Sequence, residues 1–313
     1  MDKKSLALWS EKYLMKILQH RKFFYLISLF FLGLGLVGLL SFGLKLGVDF
    51  TGGTLMKIHF SEKKTAPIIY ELLNGLDLGD FSVVASGEED WILRMKPIDE
   101  VMHQEIRNRL FGASPQTVGE ELSFNSIGPS IGKELQRKSF SASIIVLLLI
   151  VFYISWSFRK VSKPIASWKY GVAAVVALFH DIFIVIGLFA FLGKFLSIEI
   201  NTPFIAAILT ILGYSVNDTI VVFDRIRENL KKNSSLSFIE LVNRSVLQTM
   251  RRSINTSVTA MLALVAIYIF GGESIRYFTL ALLVGIFSGT YSSIFIASPL
   301  LVDWHLFHQK KHS

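Results

Sequence analysis

Residues 211–229 form the sequence ILGYSVNDTIVVFDRIREN, an apolar helical pattern that carries Asn217 and Asp218 well before its charged end. A carboxylate inside a segment of hydrocarbon length costs about 2.5–3.5 kcal/mol on insertion scales, so it needs a partner or a function. Asp218 is therefore the first candidate functional residue of the chain.

The composition excludes a soluble globular protein. Hydrophobic residues make up 52% of the 313 positions, and the mean hydropathy is +0.51. A hydrocarbon core about 30 Å thick needs roughly 20 apolar residues per helix. Residues 23–44, 140–158, 172–192, 202–223, 253–270 and 278–301 meet this requirement. The predicted fold is a polytopic α-helical membrane protein with six transmembrane helices.

Positive charge predicts the orientation of the chain. Basic residues are concentrated before the first span, in the loops after the second and fourth spans, and after the sixth span. They are Lys3, Lys4, Lys12, Lys16, Arg21, Lys22, Arg159, Lys160, Lys163, Lys169, Arg225, Arg227, Lys231, Lys232, Arg244, Arg251, Arg252, Lys310 and Lys311. The positive-inside rule then places both termini in the cytoplasm. The net charge of +8 indicates contact with anionic lipids rather than with nucleic acid.

A domain outside the membrane is predicted after the first span. Residues 1–44 hold the N-terminus and the first span, 45–138 form this domain, 139–301 hold the other spans, and 302–313 form a basic cytoplasmic tail. Strand patterns at 54–60, 81–85, 91–95 and 117–125 alternate with helical patterns at 67–76 and 99–110. The order βαββαβ is the ferredoxin-like α+β pattern, which by itself names no function.

Two glycine-rich stretches flank this domain, GVDFTGGT at 47–54 and SIGPSIGKEL at 126–135. Neither is a phosphate-binding loop, because Gly128 and Gly132 enclose three residues where such a loop needs four. We expect Gly52 and Gly53 to turn the chain out of the membrane, with Asp49 as a candidate cap.

Further polar residues lie inside the other spans. The third span carries His180 and Asp181, and the fifth span has Asn255 and Thr256 close after Arg252. Such polar stripes are expected inside a helix bundle. Two interpretations of Asp218, Asp181 and Arg252 remain open: they take part in function, or they only hold helices together or reach interfacial water.

No catalytic or metal-binding pattern is visible. The chain contains no cysteine, which excludes disulfides and cysteine-ligated metals. A nucleophile with a base, a metal-ligand cluster and a nucleotide loop are also absent from the sequence. We therefore expect no metal, no cofactor and no enzymatic activity.

Five motifs in order resemble the SecD/SecF family of the RND superfamily. They are VDFTGGT after the first span, GPSIGKEL before the second, ALFHD in the third, GYSVNDTIVVFDRIREN in the fourth and RRSINTSVTA opening the fifth. The resemblance implies one half of a transporter in the bacterial inner membrane, with SecD as the other half on a separate chain. Together they would use the proton-motive force to assist late stages of preprotein movement through SecYEG, with YajC as a further partner.

The resemblance also implies roles for individual residues. The proton-pathway carboxylate of the family falls on Asp218 and its charged partner on Arg252, with Asn217 beside them. Accessory positions are His180, Asp181, Asn255 and Thr256. The family motif at the entry to the domain comprises Asp49, Phe50, Gly52 and Gly53.

Two rival functions remain. The first is a proton-coupled exporter of small molecules or lipids from the same superfamily, which should possess two halves and larger external domains. The second is a passive scaffold within a membrane complex, which would not need an acid inside the membrane.

Overall fold

The computed structural model describes residues 18–87, 89–112, 119–157, 165–232 and 236–312. The basic positions before residue 18 and those at 159–163 lie outside the described residues, as do residues 117 and 118 of the predicted last strand. The chain divides into two compact units, one covering Leu46–Ser141 and the other the segments on either side of it.

Long helices build the larger unit. After a 3-10 turn at Leu18–His20, the helices are α1 (Arg21–Phe42), α5 (Pro129–Ser157, which begins in the smaller unit), α6 (Ser167–Leu196), α7 (Thr202–Lys232), α8 (Phe238–Phe270), α9 (Glu273–Ser292) and α10 (Ser298–His312). A π-helix, Ser293–Ala297, joins α9 to α10. Within the described part of the chain, six helical segments are long and apolar enough to cross a membrane.

Helices α7 and α8 continue well beyond the predicted spans 202–223 and 253–270. The charged end of α7 stays helical because Glu228 pairs with Arg225 and, at 2.6 Å, with Lys232. Helix α8 starts at a capping box in which Ser237 and Glu240 satisfy each other's backbone N–H groups. Hydrophobicity marks only the part of a helix inside the membrane, so these polar extensions lay outside the predicted spans.

Small residues allow close contacts between helices. Gly35 of α1 packs against Gly187 of α6. On α9, a Cβ at Gly289 would lie 2.9 Å from Cβ of Ser215 on α7, so the two helices approach closely at this point. Tyr170, Ala177, Phe223 and other buried apolar side chains complete the core between the helices.

The smaller unit contains an antiparallel sheet. Its elements are α2 (Val48–Thr51), β1 (Gly53–Phe60), α3 (Ala66–Leu72), β2 (Ser82–Ala85), β3 (Asp90–Met95), α4 (Glu100–Phe111) and β4 (Gly119–Ile127). The strand order is β2-β3-β1-β4. The alternate residues Met56, Ile58 and Phe60 of β1 are completely buried and pack against Ile69 and Ile106 of the helices.

The two glycine-rich stretches pack against each other. Gly52 has φ 74°, and a Cβ there would lie 2.9 Å from Cα of Pro129; a Cβ on Gly132 would lie 2.9 Å from N of Gly52. Only glycine allows this contact between the two backbones. The N-cap position of helix α2 is Gly47, and the carboxylate of Asp49 accepts a 3.4 Å hydrogen bond from Asn125 of β4.

Candidate functional site

Asp218 lies buried in the helical unit, with 3% of its surface exposed. Its carboxyl group lies near the hydroxyl groups of Thr290 on α9 and of Ser257 and Ser253 on α8. Oxygen Oδ2 of Asp218 is buried and has no hydrogen-bond partner among the described residues. Asp218 therefore lies where α7, α8 and α9 meet, and one of its carboxyl oxygens has no hydrogen-bond partner among the described residues.

The hydroxyl groups around Asp218 form a small cluster. Ser257 Oγ and Thr290 Oγ1 lie 2.5 Å apart, and Tyr214 donates a 3.4 Å hydrogen bond to Ser257. Ser253 Oγ is buried and lacks a partner within the described part of the chain. A hydroxyl group can donate to a carboxylate or accept from a carboxylic acid. The cluster can therefore accommodate both protonation states of Asp218.

Arg252 is the positive charge that acts on Asp218. Its side chain is exposed, and the described residues show no ion pair between Arg252 and Asp218 within 4.0 Å. A guanidinium group stays charged at all relevant pH values. The two groups thus interact across a distance that a small movement of α7 against α8 would change.

The other predicted polar residues lie on an open face of α7 and α8. Asn217, Asn255 and Thr256 are exposed, and the Thr256 hydroxyl donates to the backbone oxygens of Arg252 and Ser253 at 2.9 Å. These three side chains are therefore not covered by this chain itself, and their place inside a larger helix bundle stays a prediction. Helical spacing identifies a polar face, but it does not tell whether the same chain covers that face.

A second buried acid lies on α6. Asp181 is fully buried and accepts hydrogen bonds from Ser215 at 2.5 Å, Ser292 at 2.7 Å and Ser288 at 2.8 Å. Nδ1 of His180 lies 3.0 Å from the same carboxylate, while its buried Nε2 has no partner among the described residues.

Sequence reasoning missed the serine partners of Asp181. The available signal was the i, i+4 spacing of Ser288 and Ser292 on an apolar helix. Ser215 gave no separate signal, because it belongs to the same polar stretch as Asp218. The serines reach the carboxylate from α7 and α9, so the sequence alone could not pair them with it.

The motif at the domain entry lies in the smaller unit. Phe50 is buried, and Gly52 and Gly53 adopt positive φ angles of 74° and 132°. Their arrangement is that of a tightly packed backbone turn. Across the residues that the structure describes, no three His, Asp or Glu side chains are grouped in a way that could hold a metal ion.

Two family profiles match this chain. The profile of "Protein export membrane protein SecD/SecF, C-terminal" matches residues 111–306, and that of the "SecD/SecF GG Motif" matches residues 37–64. The second match includes the glycine-rich stretch at 47–54, and the first includes both buried acids.

Curated relatives are similar over most of their length. A protein translocase subunit SecF from Thermobaculum terrenum is 42% identical over 298 residues, covering 92% of this chain and 93% of the relative. The SecF of Anaerolinea thermophila is 40% identical over 294 residues, covering 93% and 94%.

A solved structure shares the fold. The crystal structure of SecDF, a translocon-associated membrane protein from Thermus thermophilus, aligns with a TM-score of 0.78 at 34% identity. The alignment covers 92% of this chain but 38% of the SecDF chain. The present chain therefore corresponds to a part of that longer protein.

Proposed function

The chain belongs to the SecD/SecF family of protein export membrane proteins, and we propose that it is a SecF-type subunit of the bacterial protein translocase. It would act together with SecD in the inner membrane, with both termini in the cytoplasm. The near-complete coverage of relatives named SecF supports this assignment.

The proposed activity is the use of the proton-motive force at Asp218. The observation that carries it is a buried carboxyl group with one uncommitted oxygen among hydroxyl groups. Proton uptake would release this acid from Arg252, and proton loss would restore the attraction. A charge that crosses the membrane yields about 2.3 kcal/mol per 100 mV, enough to bias a two-state movement more than tenfold.

The exposed polar face of α7 and α8 supports a partner that is itself a helix bundle. Asn217, Arg252 and Asn255 are exposed within or next to spans that also expose apolar residues such as Ile254, Val258 and Leu262. Polar groups facing lipid are costly, so a second set of helices should cover them. We propose that SecD covers this face.

The smaller unit is the proposed ferredoxin-like domain on the outer side of the membrane. Its strand order β2-β3-β1-β4 with two helices fits that fold. We propose that it binds unfolded preprotein weakly after passage through SecYEG. Deleting residues 67–110 should impair export, and unchanged secretion would contradict this role.

The remaining partners follow from the same assignment. Contact with SecYEG and YajC is proposed through family membership, and contact with anionic lipids through the basic residues around Lys231 and Arg244. A nucleic-acid partner, a metal and a cofactor are not part of the proposal, and neither is enzymatic activity. A proton-coupled exporter of small molecules or lipids is the rival function, but the similar proteins are translocase subunits.

Vesicle translocation tests the function. Inverted inner-membrane vesicles depleted of the native SecF should regain gradient-stimulated import of a reporter preprotein when this chain is supplied with SecD. Import that responds equally to the proton gradient with and without the chain would contradict the proposal.

A further inference from the structure

We propose that Asp181 is a positioning residue that holds α7 and α9 in the register that the Asp218 site requires, and that Asp181 itself does not carry the proton. The inference rests on the proposed function of Asp218. It assigns a role to the ALFHD motif, of which Asp181 is the last residue.

The carboxylate of Asp181 joins three helices. Oxygen Oδ2 accepts from Ser215 of α7 at 2.5 Å and from Ser292 of α9 at 2.7 Å, and Oδ1 accepts from Ser288 of α9 at 2.8 Å. All three serines are buried, with at most 5% of their surface exposed. Inside a membrane, water cannot replace these bonds, so breaking one leaves a buried polar group unpaired.

Each helix that Asp181 binds also carries part of the Asp218 site. Ser215 precedes Asp218 by about one turn on α7, and Ser288 and Ser292 lie two positions on either side of Thr290 on α9. The same two helices are in close contact where Gly289 meets Ser215. Asp181 therefore holds α7 and α9 together beside this contact, next to the hydroxyl groups near Asp218.

The two acids differ in their hydrogen bonding. Both oxygens of Asp181 are occupied by hydroxyl donors and by His180, whereas Oδ2 of Asp218 has no partner in the part of the chain that the structure describes. Protonation of Asp181 would break at least one of the hydrogen bonds that its carboxylate accepts. Where two carboxyl groups sit in such different surroundings, they serve different roles.

The charged and titratable groups near the two acids are few among the described residues. His180 contacts Asp181, and Tyr291 stacks on His180 with ring centroids 6.1 Å apart. Arg252 acts on Asp218, and Tyr214 reaches it only through Ser257. Serine substitutions change none of these charges, so they test position separately from electrostatics.

A hydrophobic carbodiimide, which reacts with protonated carboxyl groups in membranes, provides the test. The complex with SecD is purified in mild detergent and labelled across a pH series, and peptide mass spectrometry gives the labelled fraction of each acid. We expect labelling at Asp218 with a defined pH midpoint, and no labelling at Asp181 over the same pH range.

The variants Ser288→Ala and Ser292→Ala test the positioning role. Loosening α9 moves the Thr290 hydroxyl relative to Asp218 and so changes the surroundings in which the acid titrates. The labelling midpoint of Asp218 should therefore shift relative to the parent. Thr279→Val is the matched control, because this buried hydroxyl on α9 donates only to Ile275 O of its own helix.

Two results would overturn the proposal. One is labelling of Asp181 in the same pH range as Asp218, which would make it a proton carrier. The other is a midpoint in both serine variants equal to that of Thr279→Val. The pH profile of gradient-driven import provides a second readout, on which the serine variants should show a shift in the same direction as the labelling midpoint, relative to Thr279→Val. A shifted midpoint with import that never responds to the gradient would contradict the proposed function and leave the positioning role standing.

Discussion

Ser257 on α8 and Thr290 on α9 place their hydroxyl oxygens 2.5 Å apart beside Asp218. This pair connects α8, which carries Arg252, to α9, whose Ser288 and Ser292 donate hydrogen bonds to Asp181. Movement of α8 relative to α9 therefore changes the hydroxyl groups available to the buried acid. The cluster links proton binding at one side chain to the relative position of three helices.

The first prediction concerns this hydroxyl pair. Thr290→Val keeps the shape of the side chain but removes a group able to serve both protonation states of Asp218. Gradient-stimulated import should fall severalfold while association with SecD is retained. Import into vesicles measures the first property and co-purification the second, with Thr279→Val on the same helix as the control. Equal import by the two variants would show that the Thr290 hydroxyl is dispensable.

The second prediction concerns Arg252. Arg252→Met removes the positive charge that favours the ionised form of Asp218, so the acid should stay protonated and import should lose its dependence on the gradient. The neighbouring Arg251 is also exposed and basic, and Arg251→Met is therefore the matched control. Gradient-dependent import by the Arg252 variant at the level of the Arg251 variant would exclude Arg252 from coupling.

The third prediction concerns the exposed polar face. Replacing Asn217 and Asn255 together by Leu removes polar groups that a partner helix would satisfy, and co-purification of SecD should decrease severalfold. Leu262→Ala, at an exposed apolar position of α8, should have no such effect. Undiminished recovery of SecD with the double variant would place the interface on another face.

The fourth prediction concerns the glycine contact in the smaller unit. Gly52→Ala adds a Cβ 2.9 Å from Cα of Pro129 at a residue with φ 74°, so we expect destabilisation of about 1–3 kcal/mol. Gly75 also has a positive φ of 83° but open space around it, so Gly75→Ala should cost about 1 kcal/mol.

Resistance to limited proteolysis of the purified full-length chain ranks these two variants. The Gly52 variant should be cleaved faster within residues 46–141 than the Gly75 variant. If both variants are cleaved at the same rate, the positive φ angle alone explains the need for glycine at position 52, and the close contact with Pro129 does not contribute.

Local patterns predicted much of this fold. The six predicted spans overlap the six long helical segments, although the span 23–44 runs past the helix end at Phe42. The strand and helix patterns at 54–125 overlap β1 to β4 and the two helices between them. These patterns depend on period and composition, which a sequence shows directly. The π-helix at Ser293–Ala297 was missed, because a single inserted residue changes a helical turn without changing its apolar composition.

Contacts between distant residues were harder to predict. Asp218 and Arg252 were found as unusual residues inside apolar segments. The three serines around Asp181 come from two other helices, and serine is common enough in membrane helices to attract no attention. The polar stripe of α7 and α8 was recognised, but its exposure depends on how this chain packs, which periodicity does not reveal.

The most direct test of proton coupling is the variant Asp218→Asn. Asparagine keeps the size and hydrogen-bonding capacity of the side chain but cannot exchange the proton, and a scaffold should tolerate it because a costly buried charge is lost. Import of a reporter preprotein is measured in vesicles with and without an imposed proton gradient. We predict normal expression and SecD association, with import that no longer responds to the gradient. A variant that responds to the gradient like the parent would show that Asp218 is not the coupling site.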